Sequence, residues 1–330
     1  MKTILVTGSS GFIGYHLIKR LLEENKYNVI GIDNMNDYYD VNLKINRLNE
    51  LKKYDNYIFY NIDIENMESI NEVFKDSKID IVVNLAARAG VRTSNIQKKK
   101  YIDTNIIGFY NMLELSCIHN IEHFIFASSS SVYGDNTNTP YKEEDNTNNQ
   151  LSIYAATKKC DEIISYAYSK LNNINITGLR FFTVYGPYGR PDMAYFSFTN
   201  KLINKEKIDV YNNGNLKRDF TYIDDIIEGI IRVINNTPKE KYNIYNLGNE
   251  HPYNLIDFIN ILVNELIKQN LLSNDFNLDD HIEYKCMQKG DVYETYSDTS
   301  KFYTDFNFKP NTSLEYGLNN FVKWYKEYYK

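Results

Sequence analysis

A tyrosine and a lysine four residues apart, Tyr154 and Lys158, could together move a proton. If Ser152 caps a helix that starts here, both side chains lie on one face of its first turns. The lysine ammonium and the helix N-terminus both stabilise a phenolate, which would let the tyrosine act as a general acid and base near neutral pH. Because the chain contains 30 tyrosines, this spacing alone favours an ordinary surface helix, and other motifs are needed to support a catalytic pair.

Three glycines, Gly8, Gly11 and Gly14, occur in the segment TGSSGFIG, directly after a predicted strand and before a predicted helix. In this pattern the first glycine makes a tight turn, the second lets the backbone approach a pyrophosphate, and the third permits close packing of helix on strand. The pyrophosphate would contact free N–H groups at the helix N-terminus. The pattern therefore predicts a dinucleotide-binding loop.

Acidic residues follow the next two predicted strands. Asp33 ends the second strand, where a carboxylate can bind the adenosine ribose hydroxyls and repel a 2′-phosphate, so it favours NAD over NADP. Asp63 and Ile64 end the third strand and could border the adenine. Alternatively, they are an ordinary turn acid and a core residue.

The first half of the chain alternates short apolar runs with stretches of helical periodicity. We predict strands over TILVTG, YNVIGID, YIFYNID, IDIVVNLA, HFIFASS and NITGLRF, and helices over HLIKRLLEEN, NMESINEVFKD and TNIIGFYNMLELSCIHN. Strands that are apolar on both faces and separated by helices indicate an α/β, Rossmann-type, doubly wound parallel sheet. The fifth strand runs into four serines, Ser128 to Ser131, which would face the ligand crevice at the carboxyl ends of the strands.

The alternation ends after about Phe182, where loops surround the segment GPYGRPDMA. We therefore predict an NAD-binding domain over residues 1–182, completed by segments around 219–248. Residues 183–330 would form mainly a smaller C-terminal substrate-binding lobe that packs on the first domain.

Composition excludes several classes of protein. Hydrophobic residues make up 43% of the 330 residues, which is enough for a large core and rules out global disorder. The net charge of −6 gives no basic footprint for nucleic acid. No apolar run approaches the roughly 20 residues that span a bilayer. Three distant cysteines, Cys117, Cys160 and Cys286, predict neither a disulfide framework nor a metal site, and they fit a reducing cytoplasm.

The motifs TGSSGFIG, SSSSVYG and YAATK resemble those of extended short-chain dehydrogenases/reductases that act on nucleotide sugars. The segments GIDNMNDYYDVNLK, LAARAGVR, GLRFFTVYGPYGRPDMA, KRDFTYIDDI and MQKGDVYETYSD are similar to those of UDP-glucuronate 4-epimerases, in the same order along nearly the whole chain. The chain departs from the pattern of that family at Asn84, Arg88, Thr93 and Lys289, where the family usually has His, Gln, Tyr and Pro.

This resemblance implies a role for each matching residue. Tyr154 would take the proton from the sugar O4 as hydride leaves C4, Lys158 would hold the nicotinamide ribose, and Ser129 would bind O4. The implied cofactor is tightly bound NAD that is recycled, and its predicted contacts are Gly8, Ser10, Gly11, Phe12, Ile13, Gly14, Asp33, Asp63, Ile64, Leu85, Ala86, Ala87, Tyr154 and Lys158. The predicted contacts of the UDP-sugar are Ser129, Ser130, Ser131, Thr183, Arg190, Tyr211, Arg218 and Asp291.

Related enzymes of the same superfamily provide the alternatives to a UDP-glucuronate 4-epimerase. Dehydratases of the superfamily carry an Asp-Glu pair where this chain has Ser130 and Ser131, so water elimination is disfavoured. UDP-glucuronate decarboxylases share the substrate, and an epimerase must keep the carboxylate from aligning with the 4-keto group. Ser129, Ser130, Ser131 and Thr183 are a plausible hydroxyl cluster for this task, and Arg190 is either a second carboxylate partner or an outward loop charge. A UDP-glucose/galactose 4-epimerase and a non-catalytic NAD-binding sensor are further alternatives.

The family also implies a homodimer, paired through the segments around 101–118 and 153–170. The apolar residues Ile106, Leu113, Ile164 and Tyr168 could lie at that interface or in the core of one subunit. We expect a cytoplasmic enzyme with no metal, nucleic-acid or membrane partner.

Overall fold

The computed structural model describes residues 1–288 and 290–330, so Lys289 lies outside the described residues. The strands are β1 (Lys2–Thr7), β2 (Tyr27–Asp33), β3 (Tyr57–Asn61), β4 (Ile81–Asn84), β5 (His123–Ser129), β6 (Asn175–Phe181), β7 (Thr183–Tyr185), β8 (Ile208–Tyr211), β9 (Lys217–Tyr222), β10 (Tyr242–Leu247), β11 (Pro252–Asn254) and β12 (Ile282–Lys285). The helices are α1 (Phe12–Glu23), α2 (Val41–Leu51), α3 (Met67–Asp76), α4 (Val91–Ile96), α5 (Lys98–Ile102), α6 (Phe109–Ile118), α7 (Ile153–Leu171), α8 (Ala194–Ile203), α9 (Ile223–Asn235), α10 (Leu255–Lys268), α11 (Ser300–Phe306) and α12 (Leu314–Tyr329).

Seven parallel strands form the central sheet in the order β10-β6-β5-β4-β1-β2-β3. The strand order reverses direction beside β1, which places a crevice at the carboxyl ends of β1 and β4. The predicted α/β, Rossmann-type sheet is confirmed, and each of the six predicted strands is present. The third strand ends at Asn61, two residues earlier than the sequence pattern predicts.

Alternate residues of the central strands pack into two separate hydrophobic cores. In β1, Ile4 and Val6 point into one hydrophobic cluster, which also contains residues of α1 and α9, while Leu5 points into the cluster that contains residues of α3 and α6. In β4, Val82 belongs to the second cluster in the same way. Because side chains alternate across a strand, a strand that is apolar at every position must be covered by helices on both faces.

The C-terminal half of the chain contributes one strand, β10, to the central sheet. Strand β10 pairs with β6, and α9 packs on α1. The completion of the first domain by residues 219–248 is a prediction that agrees with these contacts but is not tested by them. The remaining strands form two small sheets, β11-β9-β7 and β12-β8, beside the carboxyl ends of the main strands. The division at residue 182 stays a prediction.

Two short segments depart from α-helical geometry. Residues Asp103–Gly108 form a π-helical segment between α5 and α6, and Ser130–Tyr133 form a 3₁₀ turn directly after β5. Within the described part of the chain, no helix combines the length and the apolar character needed to cross a membrane.

Candidate active site

A single cavity of about 740 Å³ lies along the carboxyl ends of β1, β2, β4 and β5 and continues beneath the C-terminal lobe. This volume is in the range of cavities that hold small ligands and cofactors. The cavity brings together nearly all of the residues predicted from the sequence, which are Gly8, Gly11, Phe12, Ile13, Gly14, Asp33, Ile64, Leu85, Ala86, Ala87, Ser129, Ser130, Ser131, Tyr154, Lys158, Thr183, Arg190, Tyr211, Arg218 and Asp291.

At Gly8 and Gly14, the glycine loop has no room for a side chain. Gly8 has φ +67°, a left-handed conformation that glycine adopts without strain, and a β carbon on it would lie 3.0 Å from the backbone nitrogen of Ala86. A β carbon on Gly14 would lie 2.1 Å from the carbonyl oxygen of Gly8. Helix α1 follows Gly11 directly, and no described side chain caps its first N–H groups. These groups can therefore bind a pyrophosphate at the cavity wall.

The carboxylate of Asp33, at the end of β2, is held in a fixed orientation by two backbone N–H groups. One of its oxygens accepts a hydrogen bond from the backbone N–H of Ser10 at 3.1 Å, and the other accepts one from the backbone N–H of Met35 at 2.9 Å. The ammonium of Lys44 lies 3.8 Å away. An ionised carboxylate fixed in this way can accept hydrogen bonds from both hydroxyls of a ribose, so the residues present fit NAD.

Ser10 and Asp63 are the two predicted cofactor residues that do not line the cavity. Ser10 is completely buried, its N–H binds Asp33, and its carbonyl accepts a hydrogen bond from Arg47 at 2.9 Å. The carboxylate of Asp63 accepts a hydrogen bond from the side chain of Asn34 at 2.7 Å. Both residues thus hydrogen-bond to residues that do line the cavity, Asp33 and Asn34, and their assignment as cofactor contacts stays a prediction.

Tyr154 and Lys158 lie in the first two turns of α7. The hydroxyl of Ser152 accepts a hydrogen bond from the backbone N–H of Ala155 at 3.1 Å, so the predicted cap is confirmed. The ring of Tyr154 contacts the ring of Tyr101 edge-on, with centroids 6.4 Å apart. The Lys158 side chain is only 4% exposed. Both residues reach the same cavity from one helix face, as the spacing predicts.

Two acceptors hold the buried ammonium of Lys158. It donates to the carbonyl oxygen of Ala127 in β5 at 2.9 Å and to the carboxylate of Asp161 at 3.1 Å. The neighbouring Thr157 accepts a hydrogen bond from the amide of Asn105 at 3.0 Å, and the same amide donates to the carbonyl of Arg88 at 3.0 Å. Helix α7 is thus tied to the sheet and to the loop that follows β4.

The four serines at the end of β5 and in the turn that follows it divide into two groups by their hydrogen bonds. Ser128 also borders the cavity, but its hydroxyl donates to the buried carboxylate of Glu162 at 2.7 Å. Ser129 accepts a hydrogen bond from the backbone N–H of Ser131 at 3.2 Å, and Ser129, Ser130 and Ser131 line the cavity together with Thr183 of β7. The predicted hydroxyl cluster therefore lies in the same cavity as Tyr154.

The C-terminal lobe closes the far end of the cavity. The guanidinium of Arg218 donates to the carboxylate of Asp291 at 2.6 Å, and the guanidinium of Arg92 lies over the ring of Tyr211, 4.7 Å from its centroid. At the rim of the cavity, the guanidinium of Arg190 pairs with the carboxylate of Asp192 and also donates to the carbonyl of Ala89 at 3.4 Å.

Sequence reasoning missed three residues that organise the site: Arg47, Asn105 and Asp161. Arg47 is completely buried and donates to the carbonyls of Ser10 and Gly189, so it joins the glycine loop to the lobe. A single arginine in a helical pattern carries no motif that would reveal this role. Asp161 did carry a signal, because it follows Lys158 by three residues on the same helix.

Comparisons with known proteins agree with this geometry. Residues 4–248 match the NAD dependent epimerase/dehydratase family. The chain is 46% identical to Protein CapI of Staphylococcus aureus, with 99% of each chain covered. It is 42% identical to a UDP-glucuronate 4-epimerase of Thermodesulfobacterium geofontis, over 98% of this chain and 96% of the other. The crystal structure of UDP-glucuronic acid 4-epimerase from Bacillus cereus in complex with UDP-glucuronic acid and NAD is similar, with a TM-score of 0.90, 32% identity, and coverage of 99% of this chain and 100% of the other.

Proposed function

Because the chain belongs to the NAD-dependent epimerase/dehydratase family, we propose that it interconverts UDP-glucuronate and UDP-galacturonate by inverting C4 of the sugar. NAD, bound along the glycine loop, supplies reversible removal and return of hydride at C4. One observation carries the proposal: Tyr154, Lys158 and Ser129 share a single cavity with the glycine loop at one end and the Arg218–Asp291 pair at the other.

The proton chemistry belongs to Tyr154. Its hydroxyl takes the proton of the sugar O4 during oxidation and gives it back during reduction, so one group serves as base and then as acid. Lys158 binds the nicotinamide ribose, and its ammonium stabilises the phenolate of Tyr154. Ser129 holds O4 beside the tyrosine. Because each group lies at a strand end or in the capped first turns of α7, their mutual geometry is fixed before substrate binds.

The residues around the sugar favour epimerisation over elimination or decarboxylation. The positions that hold an acid pair in related dehydratases are Ser130 and Ser131, whose hydroxyls are poor proton donors for the loss of water. A 4-keto uronic acid loses CO₂ when its C5–carboxylate bond aligns with the ketone. Ser129, Ser130, Ser131 and Thr183 can bind the carboxylate with neutral donors, and such hydrogen bonds hold an anion without fixing a single orientation.

The UDP end of the substrate would occupy the lobe. Arg218 has its guanidinium oriented by Asp291, and it can bind the diphosphate while Asp291 accepts from a ribose hydroxyl. Tyr211, whose ring already stacks with Arg92, offers a flat apolar surface for the uracil. An anchored UDP leaves the 4-keto sugar free to turn its other face toward the cofactor.

The direct test is to incubate the purified protein with UDP-glucuronate, without added NAD, and to follow the sugar by NMR. We expect UDP-galacturonate to form without accumulation of reduced nicotinamide, since hydride returns to the same sugar. Parallel incubation with UDP-glucose tests the related neutral substrate, and faster conversion of UDP-glucose would identify that sugar as the substrate instead. In a separate incubation with added NAD, its net reduction would indicate a dehydrogenase.

We also propose a homodimer formed through the outer faces of α6 and α7. Five large apolar side chains are exposed on the π-helical segment, α6 and α7, and we call them the dimer surface: Ile107, Tyr110, Ile118, Ile163 and Tyr166. The helices lie side by side, because Tyr110 contacts Tyr168 and Tyr168 donates to Glu114. A second copy of the chain would cover this apolar stripe.

A further inference from the structure

Asp161 is a buried carboxyl group in direct contact with the lysine of the active site. Its side chain is completely inaccessible to solvent, and one oxygen accepts a hydrogen bond from the ammonium of Lys158 at 3.1 Å. The other oxygen has no hydrogen-bond partner among the described residues. A buried acid with one oxygen unpaired costs stability, so its presence beside a functional ammonium calls for an explanation.

The surroundings of Asp161 leave Lys158 as its one direct ionic partner among the described residues. Glu162, the adjacent acid, is bound instead by Arg180 of β6, at 2.8 Å, and by Lys159. Strand β5 presents the carbonyl of Ala127, which binds Lys158, and the hydroxyl of Ser128, which binds Glu162.

Two further side chains packed against this part of α7, those of Tyr242 and Asn105, carry no charge and are bonded elsewhere. Tyr242 of β10 donates to the carbonyl of Glu162, and Asn105 of the π-helical segment binds Thr157. The thiol of Cys160 has a raised pKa because of burial and the nearby charge of Asp161. Burial raises the pKa of the Asp161 carboxyl itself to about 7, although the Lys158 ammonium acts in the opposite direction. The carboxyl can therefore change its charge near neutral pH.

We propose that Asp161 is a positioning residue, which fixes the ammonium of Lys158 and offsets part of its charge. An ammonium has three N–H donors, and Ala127 and Asp161 accept two of them. The third is then directed into the cavity that Lys158 lines, where the proposed function places a ribose hydroxyl of NAD. This inference rests on that proposed function for the identity of the ligand.

The charge of Asp161 has a consequence for proton transfer at Tyr154. An ionised carboxylate beside the ammonium lowers the positive potential that stabilises the phenolate. Replacing the carboxylate by a neutral amide restores that potential, so the phenolate forms at lower pH. Above the pKa of Asp161 the wild type should therefore need a higher pH for full activity than a variant with asparagine at this position.

Three variants separate the positioning of the Lys158 ammonium from the effect of the Asp161 charge on Tyr154. Asp161→Asn keeps the shape of the side chain and one acceptor for Lys158 but removes the negative charge. Asp161→Ala removes the acceptor as well as the charge. Ser165→Ala is the matched control, because Ser165 is buried one turn later on the same helix and its hydroxyl has no partner among the described residues. For each protein we would measure the pH profile of kcat/KM, the Kd of NAD for protein stripped of cofactor, and the Tm.

We expect Asp161→Asn to bind NAD like the wild type and to move the acidic limb of the profile down by about one pH unit or less. We expect Asp161→Ala to bind NAD about tenfold more weakly, the scale of a lost hydrogen bond to a charged group. Ser165→Ala should keep both the profile and the Kd of the wild type.

Wild-type pH profiles and NAD affinities in both Asp161 variants would overturn the proposal, even if their Tm falls, because a purely structural role changes only stability. If Asp161→Ala does not fold, the profile of Asp161→Asn decides the question alone. If the wild type binds NAD but converts no UDP-sugar, the proposed function fails. The NAD affinities of Asp161→Ala and Ser165→Ala still decide whether Asp161 positions Lys158.

Discussion

The carboxylate of Asp33 accepts the backbone N–H of Ser10, and this hydrogen bond of 3.1 Å ties the end of β2 to the glycine loop. We predict that Asp33→Ala weakens NAD binding and relaxes discrimination against NADP, because the repulsion of the 2′-phosphate is lost. Titration of both cofactors into stripped protein measures the two affinities. Asp37→Ala is the control, since Asp37 is exposed in the same segment and does not line the cavity. An unchanged NAD/NADP preference in Asp33→Ala would show that another group selects the cofactor.

Tyr154→Phe keeps the ring that contacts Tyr101 but removes the hydroxyl that the proposed reaction requires. We predict a loss of turnover of about 10²-fold or more, with NAD still bound, from the usual size of acid–base contributions. Tyr303→Phe, which removes an exposed hydroxyl from α11, should turn over normally. Nearly normal turnover in Tyr154→Phe would remove Tyr154 from the mechanism. Lys158→Met should be at least as damaging, because it removes both the ammonium charge and the ribose contact.

The sheet and the cofactor loop could be predicted because their signals are local in the sequence. A buried parallel strand must be apolar at consecutive positions, and the glycine spacing follows from the turn that Gly8 makes and from the contact between Gly14 and the Gly8 carbonyl. Strand ends then place Asp33 and Ser129 at the crevice without further information.

The role of Arg47 could not be predicted, and for Asp161 the spacing from Lys158 indicates a contact but not its burial, because both depend on packing against segments distant in sequence. Arg47 binds the carbonyl of Gly189, which lies far along the chain, and Asp161 is important only because helix α7 is pressed against β5. The sequence also could not show which faces of α6 and α7 lie in the core. Leu113 is completely buried in the core, and Ile164 and Tyr168 pack against it.

Acid should destabilise the fold partly through His16, which lies on α1 and contacts the carbonyl of Pro187 in the lobe at 2.9 Å. Burial lowers the pKa of His16 to about 3, although the contact with Pro187 acts the other way. The unfolded chain binds this proton near pH 6.5 and the folded chain only near pH 3, so the contribution of His16 to stability is lost as the pH falls between these values.

We therefore predict that His16→Gln weakens the dependence of Tm on pH in that range, whatever its effect on Tm at neutral pH. His123, whose pKa burial lowers to about 4, contributes in the same direction and leaves part of the dependence in place. Thermal unfolding of the wild type and the variant across the acidic range measures the difference. Parallel curves for the two proteins would contradict the assignment to His16.

A charge placed in the dimer surface should separate the subunits. We predict that Ile163→Glu is monomeric at micromolar concentration where the wild type is dimeric, because the charge would be buried by the second copy. Ile58→Glu is the matched control, since Ile58 is similarly exposed but lies on the edge strand β3. Light scattering on all three proteins decides the question. A monomeric wild type would refute the dimer.

The hydroxyl cluster should determine whether the 4-keto intermediate keeps its carboxylate. Ser130 and Thr183 line the cavity from two different segments, the turn after β5 and the strand β7, so they can contact the C5 substituent before and after the sugar turns. A short hydroxyl can rotate to serve either orientation, whereas a bidentate arginine would favour one.

We predict that Thr183→Ala and Ser130→Ala slow epimerisation and release some UDP-4-keto-pentose, because a less restrained carboxylate reaches the alignment in which CO₂ leaves. Mass spectrometry of the products detects the pentose. Tyr154→Phe provides the contrast, since it should lose both products together when the first oxidation fails. If the Thr183 and Ser130 variants are slower but yield no pentose, the hydroxyl cluster does not control decarboxylation, and the restraint must come from elsewhere in the cavity, while the proposed epimerase activity would stand.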